Sequence, residues 1–239
     1  MAESVKAILF DTFGTIVDWR GSIARLGAQL AQNKGIEGVD WDAFARAWRA
    51  GYVPGMAKVR SGERPWMALD DIHRERLDEI LGEFEISDAL SDAEKADMNL
   101  FWHRLDPWPD CLPGLIRLKA DYLIGPLSNG SLVLLSSMSK RAGIPWDFVF
   151  SSNLFKAYKP DPEVYLGAIA LLGLKPGEVM MTAAHNDDLT AARAHGMRTA
   201  YLYRPYEYGV DQSADFEASE DWDIVTDSVT GLAEALQSK

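Results

Sequence analysis

Short apolar runs alternate along most of the chain with segments in which apolar residues recur every three or four positions. The apolar runs end at a polar residue or a turn, which is typical of buried strands in a parallel sheet. Such runs predict strands at residues 5–10, 122–127, 148–151, 179–182 and 199–203. Helical periodicity lies between them at residues 132–142, 162–172 and 188–195. Alternating strands and helices predict an α/β protein built on a doubly wound parallel sheet.

Residues 19–107 break this alternation. The segment has no predicted strand, is rich in Ala, Arg, Glu and Trp, and fits helices at residues 41–53, 66–84 and 92–105. We therefore predict a helical domain of residues 19–107, inserted into a core domain of residues 1–18 and 108–239. Near the end of the core, an acidic, turn-like stretch at residues 207–223 precedes a predicted terminal helix at residues 232–236.

Composition and charge narrow the classes of partner. The 239 residues include 24 basic and 36 acidic side chains, and the net charge of −12 disfavours nucleic acids because it repels phosphate backbones. The single cysteine, Cys111, excludes an internal disulfide and a multi-cysteine zinc site, and the four histidines lack metal-binding spacing. No membrane span or signal peptide is recognisable. We expect a soluble cytoplasmic protein without a nucleic-acid or membrane partner.

Asp11 directly follows the first predicted strand, at the edge where doubly wound sheets bind their ligands. A carboxylate there can act as a nucleophile, and the amides of Thr12 and Phe13 can stabilise the oxyanion that forms when an aspartyl ester is attacked. Gly14 lets the loop turn without a Cβ penalty. The alternative is an aspartate that only caps a helix or a turn.

Three further polar segments follow strands or open helices. Ser128 and the amides after it can bind a carboxylate or a phosphate, or can form an ordinary Asn-Gly turn. Lys159 can orient Asp11 and neutralise an anion, or can be a solvated lysine. Asp188 follows the fourth predicted strand and can serve the site or only stabilise the helix dipole.

Together these segments resemble the haloacid dehalogenase superfamily over residues 5–17 and 108–204. The resemblance implies a Rossmann-like core in which the helical insertion is a cap domain. The residues that carry it, in this order, are Asp11, Ser128, Lys159 and Asp188.

Two departures separate the chain from the phosphatases of that superfamily. Phosphatases carry a second acid two residues after the nucleophile, where this chain has Phe13. They also carry a magnesium-binding acid four residues before the position of Asp188, where this chain has Ala184. Magnesium requires oxygen ligands. The chain therefore resembles the metal-free (S)-2-haloacid dehalogenases, which implies no cofactor and no metal site.

That resemblance implies a role for each matching residue. Arg49, in the pair Trp48-Arg49, matches the cap arginine that receives the halide; its alternative is an exposed helix charge. Tyr165 matches a tyrosine near the site, and its alternative is core packing. The remaining implied roles are nucleophile for Asp11, support of the nucleophile for Thr15, substrate-carboxylate binding for Ser128 and Asn129, a lysine beside the nucleophile for Lys159, and orientation of that lysine and of water for Asp188.

Two positions near the hydrolytic step depart from the better-known dehalogenase pattern. Ala183 stands where a serine is expected, and His185 where an asparagine is expected. A neutral imidazole can accept a proton from water, so His185 can act as a base. Its alternative is to cap the helix or to pack against the cap domain.

The function expected from this resemblance is hydrolysis of short 2-haloalkanoic acids to 2-hydroxy acids through a covalent ester on Asp11, with inversion at C2. The implied substrate is a small anionic 2-haloacid, the product is a halide, and a homodimer is a common state of such proteins. Two alternatives stay open. One is a phosphatase or phosphonatase of the same superfamily, and the other is a non-enzymatic binding protein on this fold.

Overall fold

The computed structural model describes residues 4–210 and 212–237, and its eight strands fall into two sheets. Six parallel strands form the main sheet in the order β5-β4-β1-β6-β7-β8, and β2 pairs with β3 in antiparallel fashion. In the register of the main sheet, Leu9 lies opposite Gly125 on one side and Met181 on the other. The strands are β1 Ala7–Phe10, β2 Val17–Asp18, β3 Asp106–Pro107, β4 Leu123–Ser128, β5 Phe150–Ser151, β6 Val179–Ala183, β7 Arg198–Leu202 and β8 Ile224–Thr226.

Eleven α-helices connect these strands within the described residues, together with three short 3₁₀ segments, Ser87–Ala89, Leu100–Arg104 and Pro176–Glu178. The helices are α1 Trp19–Lys34, α2 Trp41–Ala50, α3 Tyr52–Arg60, α4 Leu69–Glu83, α5 Asp92–Asn99, α6 Cys111–Lys119, α7 Leu132–Ala142, α8 Ser152–Phe155, α9 Pro162–Leu172, α10 Asn186–Ala194 and α11 Val229–Gln237. No helix among the described residues is both long enough and apolar enough to cross a membrane.

Helices cover both faces of the main sheet. Because successive strand residues point to opposite faces, Ile8 and Phe10 pack into one apolar cluster while Leu9 packs into another. The first cluster includes residues of α6, α7 and α11, and the second includes residues of α9 and α10. The doubly wound α/β fold predicted from the strand and helix pattern is therefore confirmed.

The helical insertion forms a cap over the sheet. It lies between β2 and β3, whose pairing joins Asp18 to Asp106 and brings the two ends of the insertion together. Asp18 also caps α1, because its carboxylate accepts a hydrogen bond from the amide of Gly21 at 2.8 Å. Aromatic side chains fill the interior of the cap, and Trp48 and Trp102 pack edge to face at 5.7 Å between ring centres.

Several element boundaries differ from the sequence-based predictions. The predicted helix 41–53 is two helices, α2 and α3, because the chain turns at Gly51, whose amide donates to Trp48 O. The predicted helix 92–105 ends as α5 at Asn99 and continues as a 3₁₀ segment. Helices α1 and α6 and strand β8 were not predicted. Two glycines in α1, and one proline and one glycine in α6, resemble turn signals, and β8 has only three residues.

Candidate active site

A cavity of about 620 Å³ lies between the carboxyl edge of the main sheet and the cap helices α2 and α3. Eight of the eleven residues singled out from the sequence line it: Asp11, Phe13, Arg49, Asn129, Lys159, Tyr165, His185 and Asp188. The other three, Thr12, Thr15 and Ser128, are buried and do not belong to its lining. Loops that follow β1, β4 and β6 therefore meet the cap at one place, as the strand order requires.

Three side chains contact the carboxylate of Asp11. Its Oδ1 accepts a hydrogen bond from Lys159 Nζ at 2.9 Å, and its Oδ2 accepts one from Thr15 Oγ1 at 2.8 Å. His185 Nδ1 lies 3.2 Å from the same Oδ2. Burial by itself raises the pKa of Asp11, but the positive charges and hydrogen bonds of Lys159 and His185 hold that pKa well below its usual range. Asp11 is thus ionised, as a nucleophile must be.

Lys159 bridges two buried carboxylates. Its Nζ contacts Asp188 Oδ2 as well as Asp11 Oδ1. Burial lowers the pKa of Lys159, but the charges of Asp11 and Asp188 outweigh this and raise that pKa above its ordinary value. Tyr165 donates its hydroxyl to Asp188 Oδ1 at 2.6 Å. Tyr165 therefore orients Asp188, and Asp188 in turn orients the lysine beside the candidate nucleophile.

The loop after β1 presents unused backbone donors. Among the hydrogen bonds of the described residues, none is donated by the amides of Thr12 or Phe13. Thr15 Oγ1 also accepts from the amide of Ala184 at 2.9 Å, which ties this loop to the loop after β6. Gly14 takes a positive φ of 84°, a conformation that favours glycine. These two amides are the kind of donor that stabilisation of an oxyanion on Asp11 requires.

Ser128 and Asn129 occupy different positions relative to the cavity. Asn129 lines it and is fixed by two hydrogen bonds with Lys159: the Lys159 amide donates to Asn129 Oδ1 at 2.6 Å, and Asn129 Nδ2 donates to Lys159 O at 3.3 Å. Ser128 is 1% exposed, and its hydroxyl accepts from the amide of Gly130 at 3.2 Å. Ser128 is therefore buried outside the lining of the cavity, whereas Asn129 lines it.

Arg49 projects from the end of α2 into the cavity. It is half-buried, and its Nε and Nη1 are shielded from solvent without a hydrogen-bond partner. Its guanidinium carbon lies 3.7 Å from the centre of the Tyr52 ring, a close cation–π contact. Buried polar groups without a partner are costly, so these N–H groups are suited to an anion bound in the cavity. The alternative of an exposed helix charge is not what the structure shows.

His185 immediately precedes α10, and its side chain makes no capping hydrogen bond to that helix. Its Nε2 lies 2.9 Å from Glu207 Oε2, and its Nδ1 faces Asp11. Burial lowers the pKa of His185, but the charge of Glu207 and the hydrogen bonds with Asp11 and Glu207 raise that pKa well above its ordinary value. In the free protein, therefore, His185 is a cation between two carboxylates.

Sequence reasoning missed two residues of this region. Glu207, which contacts His185, and Tyr208, which lines the cavity, lie just after β7 in the stretch interpreted only as acidic and turn-like. Their position after a strand of a doubly wound sheet was the available signal. The signal was weak because four residues separate them from the end of β7.

The two residues that distinguish the chain from phosphatases, Phe13 and Ala184, are both buried in the structure. Phe13 is 2% exposed and packs edge to face against Trp102 at 5.7 Å between ring centres. Ala184 is 2% exposed and contributes its amide to Thr15. Within the part of the chain that the structure describes, no group of three or more His, Cys, Asp or Glu side chains is arranged to hold a metal ion.

Comparisons with known proteins identify the family of this chain. The sequence model of the haloacid dehalogenase-like hydrolase family matches residues 5–196. The (S)-2-haloacid dehalogenase 4A of Burkholderia cepacia is 26% identical over 98% of this chain and 100% of its own length. The (S)-2-haloacid dehalogenase of Pseudomonas sp. strain YL is 32% identical over 84% of each chain.

Solved structures show the same likeness at higher identity. The crystal structure of the defluorinating L-2-haloacid dehalogenase Rha0230 is 49% identical, with a TM-score of 0.94, over 98% of this chain and 95% of that chain. The L-2-haloacid dehalogenase PA0810 is 45% identical, with a TM-score of 0.95, over 99% and 100%. The protein therefore belongs to the haloacid dehalogenase-like hydrolase family, in the branch formed by the (S)-2-haloacid dehalogenases.

Proposed function

We propose that this protein hydrolyses short 2-haloalkanoic acids to 2-hydroxy acids and halide. The observation that carries the proposal is the pairing of Asp11 and Arg49 across one cavity. Asp11 is a buried, ionised carboxylate, and Arg49 offers N–H groups that have no protein partner. A displacement at carbon needs a nucleophile on one side and a place for the departing anion on the other. The resemblance to named dehalogenases supports this assignment.

In the first half-reaction, a carboxylate oxygen of Asp11 attacks C2 of the substrate. The carbon–halogen bond breaks, its electron pair leaves with the halide toward Arg49, and an ester of Asp11 remains. Attack from the side opposite the halogen inverts the configuration at C2. Thr15 and Lys159 hold the Asp11 carboxylate for this attack, while Asn129 and the neighbouring backbone amides provide donors for the substrate carboxylate.

In the second half-reaction, water attacks the acyl carbon of the Asp11 ester. The amides of Thr12 and Phe13 stabilise the oxyanion. His185, whose Nδ1 proton has left to solvent after the ester formed, accepts the proton of the water through Nδ1, the atom that faces Asp11 at 3.2 Å in the free protein. Aromatic side chains such as Phe13 and Tyr52 exclude bulk water from the departing halide, which strengthens the field of Arg49.

The direct test measures halide released from fluoro-, chloro- and bromoacetate and from both enantiomers of 2-chloropropionate, with a chelator present. We expect halide from at least one haloacetate, consumption of the (S) enantiomer with formation of the (R)-hydroxy acid, and no loss of rate on chelation. Magnesium-dependent release of phosphate from phosphate esters would favour the phosphatase alternative instead. Absence of turnover with every haloacid would favour a binding protein.

Replacement of the nucleophile tests the ester. Asp11→Asn should fold normally and release no halide, because an amide cannot form the same ester. Asp187→Asn is a matched control: it removes a neighbouring carboxylate of the cavity that contacts neither Asp11 nor Lys159 and should keep most of the activity. A single turnover of the wild type in ¹⁸O-water should place the label in Asp11. Label found first in the hydroxy acid would exclude the ester.

A further inference from the structure

Glu207 is a buried carboxylate that the proposed mechanism does not yet use. It lies five residues after β7 and is 1% exposed. Its Oε2 contacts His185 Nε2 at 2.9 Å, and its Oε1 accepts a hydrogen bond from Trp19 Nε1 at 2.9 Å. The same carboxyl group fills the space beside Gly14, where an added Cβ would lie 2.1 Å from it.

These contacts place Glu207 between three parts of the molecule. Gly14 belongs to the loop of the nucleophile, Trp19 begins the first cap helix, and His185 immediately precedes α10. A buried carboxylate is strongly unfavourable unless a cation and hydrogen bonds compensate it. His185 supplies the cation and Trp19 supplies the second hydrogen bond. One of the two side chains that Glu207 holds is therefore His185, whose Nδ1 faces Asp11.

We propose that Glu207 is a positioning residue for hydrolysis of the Asp11 ester, in that it accepts the Nε2–H of His185 and so directs Nδ1 toward the acyl carbon. The inference rests on the proposed function. The arrangement of nucleophile, histidine and acid follows the logic of catalytic triads, in which a buried acid fixes the tautomer and the orientation of the base. Here the nucleophile is Asp11 and the acid is Glu207.

The protons balance over the cycle. In the resting state His185 is protonated and Asp11 is ionised. After the ester forms, Nδ1 no longer faces a carboxylate, and its proton leaves to solvent while the halide departs. Nδ1 then takes a proton from the attacking water and returns it to the alkoxide of the product as the ester C–O bond breaks. Asp11, left as a neutral acid, transfers its proton to Nδ1, and the resting pair is restored.

Charged and titratable groups on several elements face His185. Asp11 and Glu207 contact it directly, and Tyr201 on β7 and Tyr208 lie close enough to interact with its charge. After Asp11 is esterified, Glu207 is the contacting carboxylate that still raises the pKa of His185. Removal of the Glu207 charge should therefore move the acid limb of ester hydrolysis to lower pH, a change that a purely structural residue would not produce.

The experiment compares single turnovers of a haloacid by the wild type, Glu207→Gln, Glu207→Asp and His185→Ala. In Glu207→Gln we expect a burst of one halide per site at a nearly normal rate, followed by hydrolysis of the ester slowed about tenfold or more. Mass spectrometry should show the Asp11 ester accumulating, as in His185→Ala. Glu207→Asp should recover part of the second step, because the charge is retained.

Asp110→Asn is the matched control for the loss of an acid. Asp110 pairs with Arg204, three residues before Glu207, and does not contact His185. This variant should lose stability but keep the ratio between the rates of the two half-reactions. Equal slowing of the burst and of ester hydrolysis in Glu207→Gln would overturn the proposal for Glu207.

A second measurement does not depend on turnover. Nitrogen NMR of labelled histidine, with the His185 signal identified by its absence in His185→Ala, should show a pKa of His185 above the ordinary value in the wild type and a fall in Glu207→Gln. An unchanged titration would contradict the role of Glu207 even if Glu207→Gln is slow. A wild type that forms no halide burst would instead refute the proposed function, and the role of Glu207 with it.

Discussion

Two buried histidines of this protein have opposite charge states because their surroundings differ. His185 lies between two carboxylates and is a cation. His73, in α4 of the cap, is 2% exposed, stacks on Trp102 at 4.1 Å between ring centres, and has no hydrogen-bond partner for either ring nitrogen. Burial, reinforced by the nearby charge of Arg49 and opposed by that of Asp70, lowers the pKa of His73 to about 3. His73 is therefore neutral in the folded protein.

Acid should destabilise the fold through His73. The unfolded chain takes up a proton at this side chain below pH 6.5, whereas the folded chain does so only near pH 3. The free energy of unfolding therefore has its full value, as far as His73 is concerned, above pH 6.5, and it decreases as the pH drops below that value. Between pH 7 and pH 5 we expect a loss of about 2 kcal/mol from this residue.

The comparison with His73→Phe isolates this contribution. Phenylalanine keeps a planar ring against Trp102 and leaves the backbone carbonyl free to accept the hydrogen bond from Trp48 Nε1. Denaturant unfolding at several pH values should show a smaller acid-dependent loss in His73→Phe than in the wild type, whatever its stability at neutral pH. Parallel curves for the two proteins would mean that His73 is not neutral and buried as described.

At the level of the elements, the site depends on a close contact between the first two cap helices. Gly27 in α1 faces the ring of Trp41, the first residue of α2, and a Cβ at position 27 would lie 2.1 Å from that ring. Trp41 is 9% exposed and packs on Phe44. Because α2 also carries Arg49, the approach of α1 and α2 helps to fix where that guanidinium enters the cavity.

The same substitution should therefore have opposite effects at two helical glycines. Gly27→Ala should destabilise the fold by about 1–3 kcal/mol, because the ring of Trp41 must move. Gly82→Ala, in α4, meets nothing within 4 Å and should stabilise the fold by about 0.5–1 kcal/mol, because alanine is the better helix former. Thermal and denaturant unfolding of both variants checks the signs. A stabilising effect at both positions would show that the α1–α2 contact relaxes freely.

Across the whole molecule, a net charge of −12 opposes the approach of the proposed anionic substrate, so a local cation is needed to attract it. Arg60, the last residue of the cap helix α3, lines the active-site cavity and a second cavity of about 430 Å³ beside it. Its Nε and Nη2 bind Asp161 Oδ1 at 2.9 and 2.7 Å, which joins the cap to the start of α9 in the core. The pair is partly exposed, so it stabilises the fold little.

Variants of Arg60 and Asp161 can distinguish two effects of this ion pair: electrostatic attraction of the substrate by Arg60, and attachment of the cap to the core. Arg60→Gln removes the cation, and we expect KM for a haloacid to rise about threefold or more at low ionic strength, less at high salt, with kcat little changed. Asp161→Asn breaks the same pair but leaves the cation, so KM should stay equal or fall. Both variants should unfold within about 1 kcal/mol of the wild type. An equal rise of KM in both would show that the pair matters by holding the cap.

The pattern of the sequence determined the main features of the core. Four of the six main-sheet strands coincide closely with short apolar runs, and α7 and α9 have the predicted bounds, because local periodicity and flanking glycines specify them. It also placed Asp11, Asn129, Lys159 and Asp188 after strands or at helix starts, since parallel strands bring their carboxyl ends to one edge. The order of the strands in the sheet, β5-β4-β1-β6-β7-β8, was not predicted and comes from the structure.

Only the tertiary structure decided how the remaining side chains are partnered. Glu207 and His185 are 22 residues apart and Trp19 and Glu207 are 188 apart, so no local pattern joins them. The neutral state of His73 depends on burial by residues from other helices. The break between α2 and α3 falls at Gly51, where a Cβ would lie 2.5 Å from the side chain of Arg76 in α4, a contact that helix periodicity does not record. Charge states and hydrogen-bond partners are set by three-dimensional surroundings, because burial and Coulomb interactions depend on distance in space and not on distance along the chain.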